Sequence, residues 1–302
     1  MIQLLLESLI DKVAQTAKKT IAVAVAEDEE VIDAVADALN RNLGNFILFG
    51  DQKKIETIVA LKHLNGNPNI KIIHADSKAQ AAEFAVKAIY NKEANVLMKG
   101  NIPTNIFLKA VLNKEYGLRT GNVLSHVAVF EVPGFNRPIL VTDAAMNIAP
   151  DLQQKAQIVQ NAVAIAKKLG IETPKVAPLA AVEVVNPVMQ ATVDAAALTM
   201  MNSRGQITGC IIDGPLALDN AVSVLAAEHK GLQSEVAGNA DILLVPAIEV
   251  GNVLYKSLVY FAQAKVGAVI AGARVPIVLT SRADKAQSKL YSLALALSCT
   301  NE

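Results

Sequence analysis

The sequence predicts an α/β protein built on mainly parallel sheets, and three observations lead there. Short runs that are apolar throughout recur along the chain, among them TIAVAVA at 20–26, FILFG at 46–50, ILLVP at 242–246 and IVLT at 277–280. Runs of this length suit strands buried on both faces. Helix-length segments separate most of them, and 52% apolar content over 302 residues supplies core for two domains or one large one.

Taken in order, residues 1–19 (MIQLLLESLIDKVAQTAKK) place apolar side chains at helical spacing, with Glu7 among them and no basic leader or small-residue cleavage site. They read as an amphipathic helix of the mature protein. The 20–26 strand leads to a helix over 27–43, acidic at its start and closed by Arg41 and the stop at 42–44. Strand 46–50, helix 51–62, strand 70–74, helix 77–91 capped by Asp76 or Ser77, and strand 96–98 continue a strict alternation. Loop and helix follow over 101–116. Residues 123–131 and 138–142 then read as strands around a turn at Pro133 and Gly134, and so little chain separates them that an antiparallel pair is open to them. The helix at 152–169 ends on Lys167, Lys168 and Gly170. Beyond Pro174 the alternation resumes: strand 176–182, helix 187–202, strand 207–212, loop and helix 217–230, strand 241–245, helix 251–266, strands 268–270 and 275–279, and a last helix to about 298. The arrangement expected is two α/β/α lobes, 1–148 and 149–302, with a cleft between them; the terminal helix, 285–302, is free to cross back to the first lobe.

Lysine plus arginine and aspartate plus glutamate both number 28, so no net field draws nucleic acid or a membrane surface, and a small-molecule ligand is expected. No run approaches the roughly 20 apolar residues of a membrane span. The cytoplasm is the default location. Cys210 and Cys299 stand far apart, outside any CxxC, and read as small buried hydrophobes. The four histidines, His63, His74, His126 and His229, form no metal-ligand spacing. GxxxxGK[ST], GxSxG and GxGxxG are all missing, which disfavours nucleoside triphosphates, serine hydrolases and dinucleotides.

Ligands of parallel sheets bind beyond the carboxyl ends of the strands. The strands at 241–245 and 275–279, read as one β-α-β unit around the helix between them, bring Glu249, Gly251, Asn252, Tyr255 and Lys256 toward Thr280, Ser281, Arg282 and Asp284. Such a group suits a small anion. Lys99, Gly100 and Asn101 follow another strand and lead through Pro103 and Thr104 into a helix, where free backbone N–H groups and the positive end of the dipole favour an anion. Arg282 matches a phosphate or carboxylate with a two-pronged fork, and Ser281 adds a donor; the plainer reading makes Ser281 a helix cap. Asp213 and Gly214, after CIID, either orient a ligand or form an Asx turn, and Asp143 after ILVT has the same two readings. His126, beside Ser125 in LSHVAVF, is the one histidine retained as a candidate.

The segments LMKGNIPTN, LSHVAVFEVPG, ILVTDAAMNIAPDLQQKAQI, DGPLALDNAV, VAGNADILLVPAIEVGNVLYK and IVLTSRAD, in this order over nearly the whole chain, resemble the phosphate acetyltransferase and phosphate butyryltransferase family. MKGNIPTN and LSHV place the chain nearer the butyryl branch. The resemblance implies a fold like that of isocitrate and isopropylmalate dehydrogenases, and reversible acyl transfer between coenzyme A and inorganic phosphate without a covalent acyl-enzyme. It implies that Arg282 holds phosphate with help from Lys99, Asn101 and Thr104, and that Ser281 donates to the carbonyl oxygen or thiol. Ser125, Asp213, Gly214, Asn252, Tyr255 and Lys256 would line the coenzyme A cleft. Acetyl enzymes of the family carry an aspartate base seven residues after the serine, where this chain has Ser288; Asp284 is the replacement expected, and His126 the second choice. No metal or prosthetic group is implied, and a homo-oligomer is expected. Competing readings are phosphate acetyltransferase and a non-catalytic acyl-CoA-sensing domain; a decarboxylating dehydrogenase would need an aspartate cluster for a metal, which the sequence lacks.

Overall fold

The computed structural model describes residues 6–279 and 285–300. In chain order its elements are α1 (Leu6–Ala14), β1 (Thr20–Ala24), α2 (Glu29–Asn40), β2 (Asn45–Gly50), α3 (Gln52–Leu61), β3 (Ile70–His74), α4 (Lys78–Tyr90), β4 (Val96–Lys99), α5 (Thr104–Val111), β5 (Ser125–Glu131), β6 (Ile139–Thr142) and α6 (Leu152–Lys168). There follow β7 (Lys175–Pro178), α7 (Gln190–Ser203), β8 (Ile211–Ile212), α8 (Leu218–Val222), α9 (Val224–His229), β9 (Ile242–Leu244), α10 (Ile248–Tyr260), β10 (Lys265–Ala271), β11 (Ile277–Val278) and α11 (Ala286–Cys299).

The chain divides into two compact units. Among the described residues one, the terminal unit, joins 6–122 with 267–279 and 285–300; the other, the central unit, is Val123–Val266. The boundary expected near residue 148 is therefore corrected. Residues 123–148 carry the β5–β6 hairpin, and β6 pairs in parallel with β9, so their backbone hydrogen bonds lie with later strands.

In the terminal unit the strands run β3-β2-β1-β4-β11-β10, parallel through β11, with β10 antiparallel to it. Asp28 caps α2 by accepting from the Glu30 and Val31 amides, and Ser77, not Asp76, caps α4 through the Gln80 amide. The last helix packs on α1 and α2. It is buried at every residue from Lys289 to Leu297, as a helix apolar all round must be. Gly267 lets it approach β10: a Cβ there would stand 2.9 Å from the Tyr291 carbonyl carbon. Phe46, Phe107 and Tyr291 are fully buried in this unit, each contributing roughly 1.5–3 kcal/mol over exposure.

In the central unit the order is β5-β6-β9-β7-β8, with β5 antiparallel to β6 and the others parallel. A complete capping box between Asp151 and Gln154 starts α6. The loop and helix predicted over 217–230 are two short helices, divided at Ser223, which ends α8 and caps α9. The predicted strand at 207–212 shrinks to Ile211–Ile212 because Gly205 and Gly209, both at positive φ, turn the chain just before it.

One inference from the sequence fails outright. ILLV and IVLT are not neighbours in one β-α-β unit: β9 lies in the central unit, and the strand after α10 is β10. Only five residues separate β10 from β11, too few for the parallel crossover of a dozen or more residues, so the two pair antiparallel. Among the described residues no helix is long and apolar enough to cross a membrane.

Candidate functional site

In the terminal unit the Lys99 turn is built by close backbone approach. Gly100 packs against the carbonyls of Ala24 and Val25, where any Cβ would collide, and Val25 itself adopts a φ of 64°. The amides of Gly100 and Asn101 donate to Ala24 O (2.8 Å) and Val25 O (2.9 Å), and that of Ile102 to Gly100 O (2.9 Å). This corrects the expectation of free amides in the turn itself. The donors that helix geometry leaves over are those of Thr104 and Asn105 at the head of α5, because Pro103 has none and Ile106 already donates to Pro103 O at 3.1 Å.

Beneath that helix head lies a cavity of about 330 Å³. Lys99, Asn101 and Thr104, all singled out from sequence, line it together. So do Lys78, Lys289, Asp28 and Glu30, which sequence reasoning missed. Lys78 Nζ donates to Asn101 O at 2.8 Å, and Lys99 Nζ to Gly100 O at 3.3 Å. Lys289 Nζ pairs with Glu30 Oε2 at 3.0 Å. A signal for Lys289 was available: it opens the KLYSLALAL stretch of a helix apolar all round, and a lysine in such a helix must find a partner. Ser281, Arg282 and Asp284 lie outside the described residues.

In the central unit, antiparallel β5 places its first residues at the same rim as the carboxyl ends of the parallel strands. Ser125 and His126 therefore stand beside the exit of β6, where Thr142 Oγ1 donates to His126 O at 2.8 Å. Ser125 is fully buried, and its hydroxyl accepts from Asn161 Nδ2 at 2.9 Å. His126 is 7% exposed and meets Tyr255 edge-on, ring centroids 5.8 Å apart. Burial pushes its pKa below the ordinary value, outweighing the opposing pull of Asp143, so the imidazole is neutral. Its Nδ1 has no hydrogen-bond partner among the described residues.

The two readings of Asp143 resolve to the structural one. Its carboxylate accepts from the amides of Ala145, Met146 and Asn147 and from Asn147 Nδ2. Asn147 Nδ2 also donates to Leu124 O at 2.8 Å, tying this loop to the entry of β5. Gly251 brings α10 against the same loop, leaving Tyr255 half-buried and Asn252 and Lys256 exposed. Asp213 and Gly214 emerge from β8, four strand spacings from β5 and thus roughly 19 Å away along the sheet. The structure does not bring them to His126.

The family model described as phosphate acetyl/butaryl transferase matches residues 5–89 and 69–297. A probable phosphate butyryltransferase of Bacillus subtilis (strain 168) is 57% identical over 98% of both chains. A phosphate acetyltransferase of Thermotoga maritima is 46% identical, covering 96% of this chain and 98% of the relative. Among solved structures, a branched-chain phosphotransacylase from Enterococcus faecalis V583 aligns with a TM-score of 0.84 at 39% identity, over 93% of this chain and 98% of the other. Similarity of this extent, spanning both units and every segment quoted from the sequence, shows that the chain belongs to the phosphate acetyl/butaryl transferase family.

Proposed function

We propose that the protein catalyses reversible transfer of a short acyl group, butyryl foremost, between coenzyme A and inorganic phosphate. The observation that carries this is the 57% identity over 98% of both chains to a relative named probable phosphate butyryltransferase. A phosphate oxygen attacks the thioester carbonyl, a tetrahedral oxyanion forms, and the C–S bond breaks to leave acyl phosphate and free coenzyme A. Such a step needs no covalent enzyme intermediate; it needs positioned donors for the phosphate and for the developing oxyanion. Arg282, with Lys99, Asn101 and Thr104, is assigned to phosphate, and Ser281 to the carbonyl oxygen or thiol. Asp284, with His126 second, is assigned as the base that takes the coenzyme A thiol proton when acyl phosphate is the donor, and that returns it to the departing sulfur in the direction written; a neutral imidazole whose Nδ1 has no partner among the described residues has the protonation state the base requires. Ser125, Asn252, Tyr255 and Lys256, with Asp213 and Gly214, are assigned to coenzyme A.

Acetyl transfer is the second reading, favoured by the 46% identity to the Thermotoga maritima phosphate acetyltransferase. We place the enzyme in the cytoplasm as a homo-oligomer; supporting the latter, Val250, Val253, Tyr260 and Phe261 on and beside α10 are exposed, Phe261 at 88%. The test is thiol release from acetyl-, propionyl-, butyryl- and isobutyryl-CoA, with and without phosphate. Phosphate-dependent release peaking at four carbons is expected. A peak at acetyl would transfer the assignment to the sister activity. Coenzyme A binding without release from any substrate would make the chain an acyl-CoA sensor.

A further inference from the structure

We infer that Lys289 is a phosphate-binding residue, its ammonium held by Glu30 until a phosphate dianion enters the cavity below α5. Lys289 is 7% exposed, and lysines this buried are almost always paired. Its pair is lopsided. The Glu30 side chain is 56% exposed, whereas the other deeply buried lysine, Lys155, meets Asp194, whose side chain is 9% exposed. A buried cation facing a hydrated anion can exchange partners cheaply, because the released carboxylate returns to water it already touches.

The surroundings favour an incoming dianion. Lys78 and Lys99 line the same cavity as Lys289, against Glu30 and Asp28. The Asp28 carboxylate is already engaged in capping α2, through the Glu30 amide at 3.1 Å and the Val31 amide at 3.3 Å. Among the described residues, three lysines thus line one volume against the two carboxylates of Glu30 and Asp28. The first-turn amides of α5 point their positive end at it as well. At about 330 Å³ the cavity falls at the small end of ligand pockets, roughly 300–1,000 Å³. A tetrahedral dianion accepts from several separate ammonium donors at once, which a carboxylate with half the charge does less well. The dianion is inorganic phosphate or a phosphate group of coenzyme A, an identification that rests on the function proposed above.

Two variants of the full chain test this, Lys289→Met and Glu30→Gln. With phosphate varied at saturating acyl-CoA, Lys289→Met is expected to raise the phosphate KM about tenfold or more, and Glu30→Gln to lower it. If the penalty of Lys289→Met falls instead on the acyl-CoA KM and disappears with the 3′-dephospho substrate, the site stands and its occupant is the coenzyme's 3′-phosphate. Unchanged KM values in both variants, or equal losses of thermal stability with KM shifts of the same sign, overturn the inference and leave a structural ion pair. Should Lys289→Met not fold, Glu30→Gln decides alone, since its residue is exposed. Should the wild type release no thiol, the functional reading fails separately. Calorimetric titration with inorganic phosphate then decides: weaker binding in Lys289→Met and tighter in Glu30→Gln sustain the site, and equal affinity in all three refutes it.

Discussion

Gly251 rests on the backbone of Asp143: a Cβ at this helical position would stand 2.6 Å from the Asp143 carbonyl oxygen and 2.9 Å from Ala144 Cα. Alanine in a helix interior ordinarily improves on glycine by roughly 0.5–1 kcal/mol. Here the obstructing atoms are backbone and cannot swing aside, so the overpacking cost of about 1–3 kcal/mol wins. Gly251→Ala is expected to lower the melting temperature, and an unchanged or raised value in thermal unfolding would refute the contact's importance.

His126 makes stability depend on pH. Its folded pKa is depressed by burial below the ordinary 6.5. As pH falls through 6.5, the unfolded chain takes up a proton that the folded imidazole refuses, so stability drops by up to about 1.4 kcal/mol per pH unit until the folded imidazole titrates. Replacing it with His126→Gln should flatten this part of the profile. Melting temperatures of both proteins between pH 7 and 5 check it; parallel curves would count against a buried neutral imidazole.

The Lys155 and Asp194 side chains pair at 2.5 Å inside the central unit, and Gln190 Nε2 also donates to Asp194 Oδ1 at 2.7 Å. Breaking such a pair strands a buried charge. Lys155→Met alone should cost about 3–5 kcal/mol, while adding Asp194→Leu should return most of it. Denaturant unfolding of the single and double variants measures both; additive losses would argue that packing, not charge, dominates.

Arg282→Ala should raise the phosphate KM by about tenfold or more and the acyl-CoA KM far less, through loss of a charge-assisted, two-pronged contact. Steady-state kinetics with each substrate varied in turn tests the assignment. Equal effects on the two constants would remove it.

Burial pushes the Cys210 thiol up to about 11, so it stays protonated and unreactive at neutral pH. A thiol reagent used to follow coenzyme A release should leave Cys210 unlabelled in the folded protein, as mass spectrometry of the digested product can establish. Rapid labelling without denaturant would contradict its burial.

Local pattern made much of the molecule legible from sequence alone. Asp51, Ser77 and Asp151 head helices, and runs such as FILFG are strands because a short run without charge or a polar side chain is buried along its whole length. The Lys99 turn was also legible, since a strand, a glycine and a helix start within a few residues. The sequence by itself therefore determined the α/β class and most elements, which depend on short-range spacing and composition, and, through the resemblance of its motifs, the family. The tertiary structure alone decided the pairings. Strands β9 and β11 look alike as apolar runs, and only hydrogen-bond register, with the short β10–β11 connection, sends them to different units. Lys289 and Glu30, 259 residues apart, meet because α11 packs on α2. Long-range packing of that kind leaves no periodicity in the chain, because its cause is the fit of two distant surfaces.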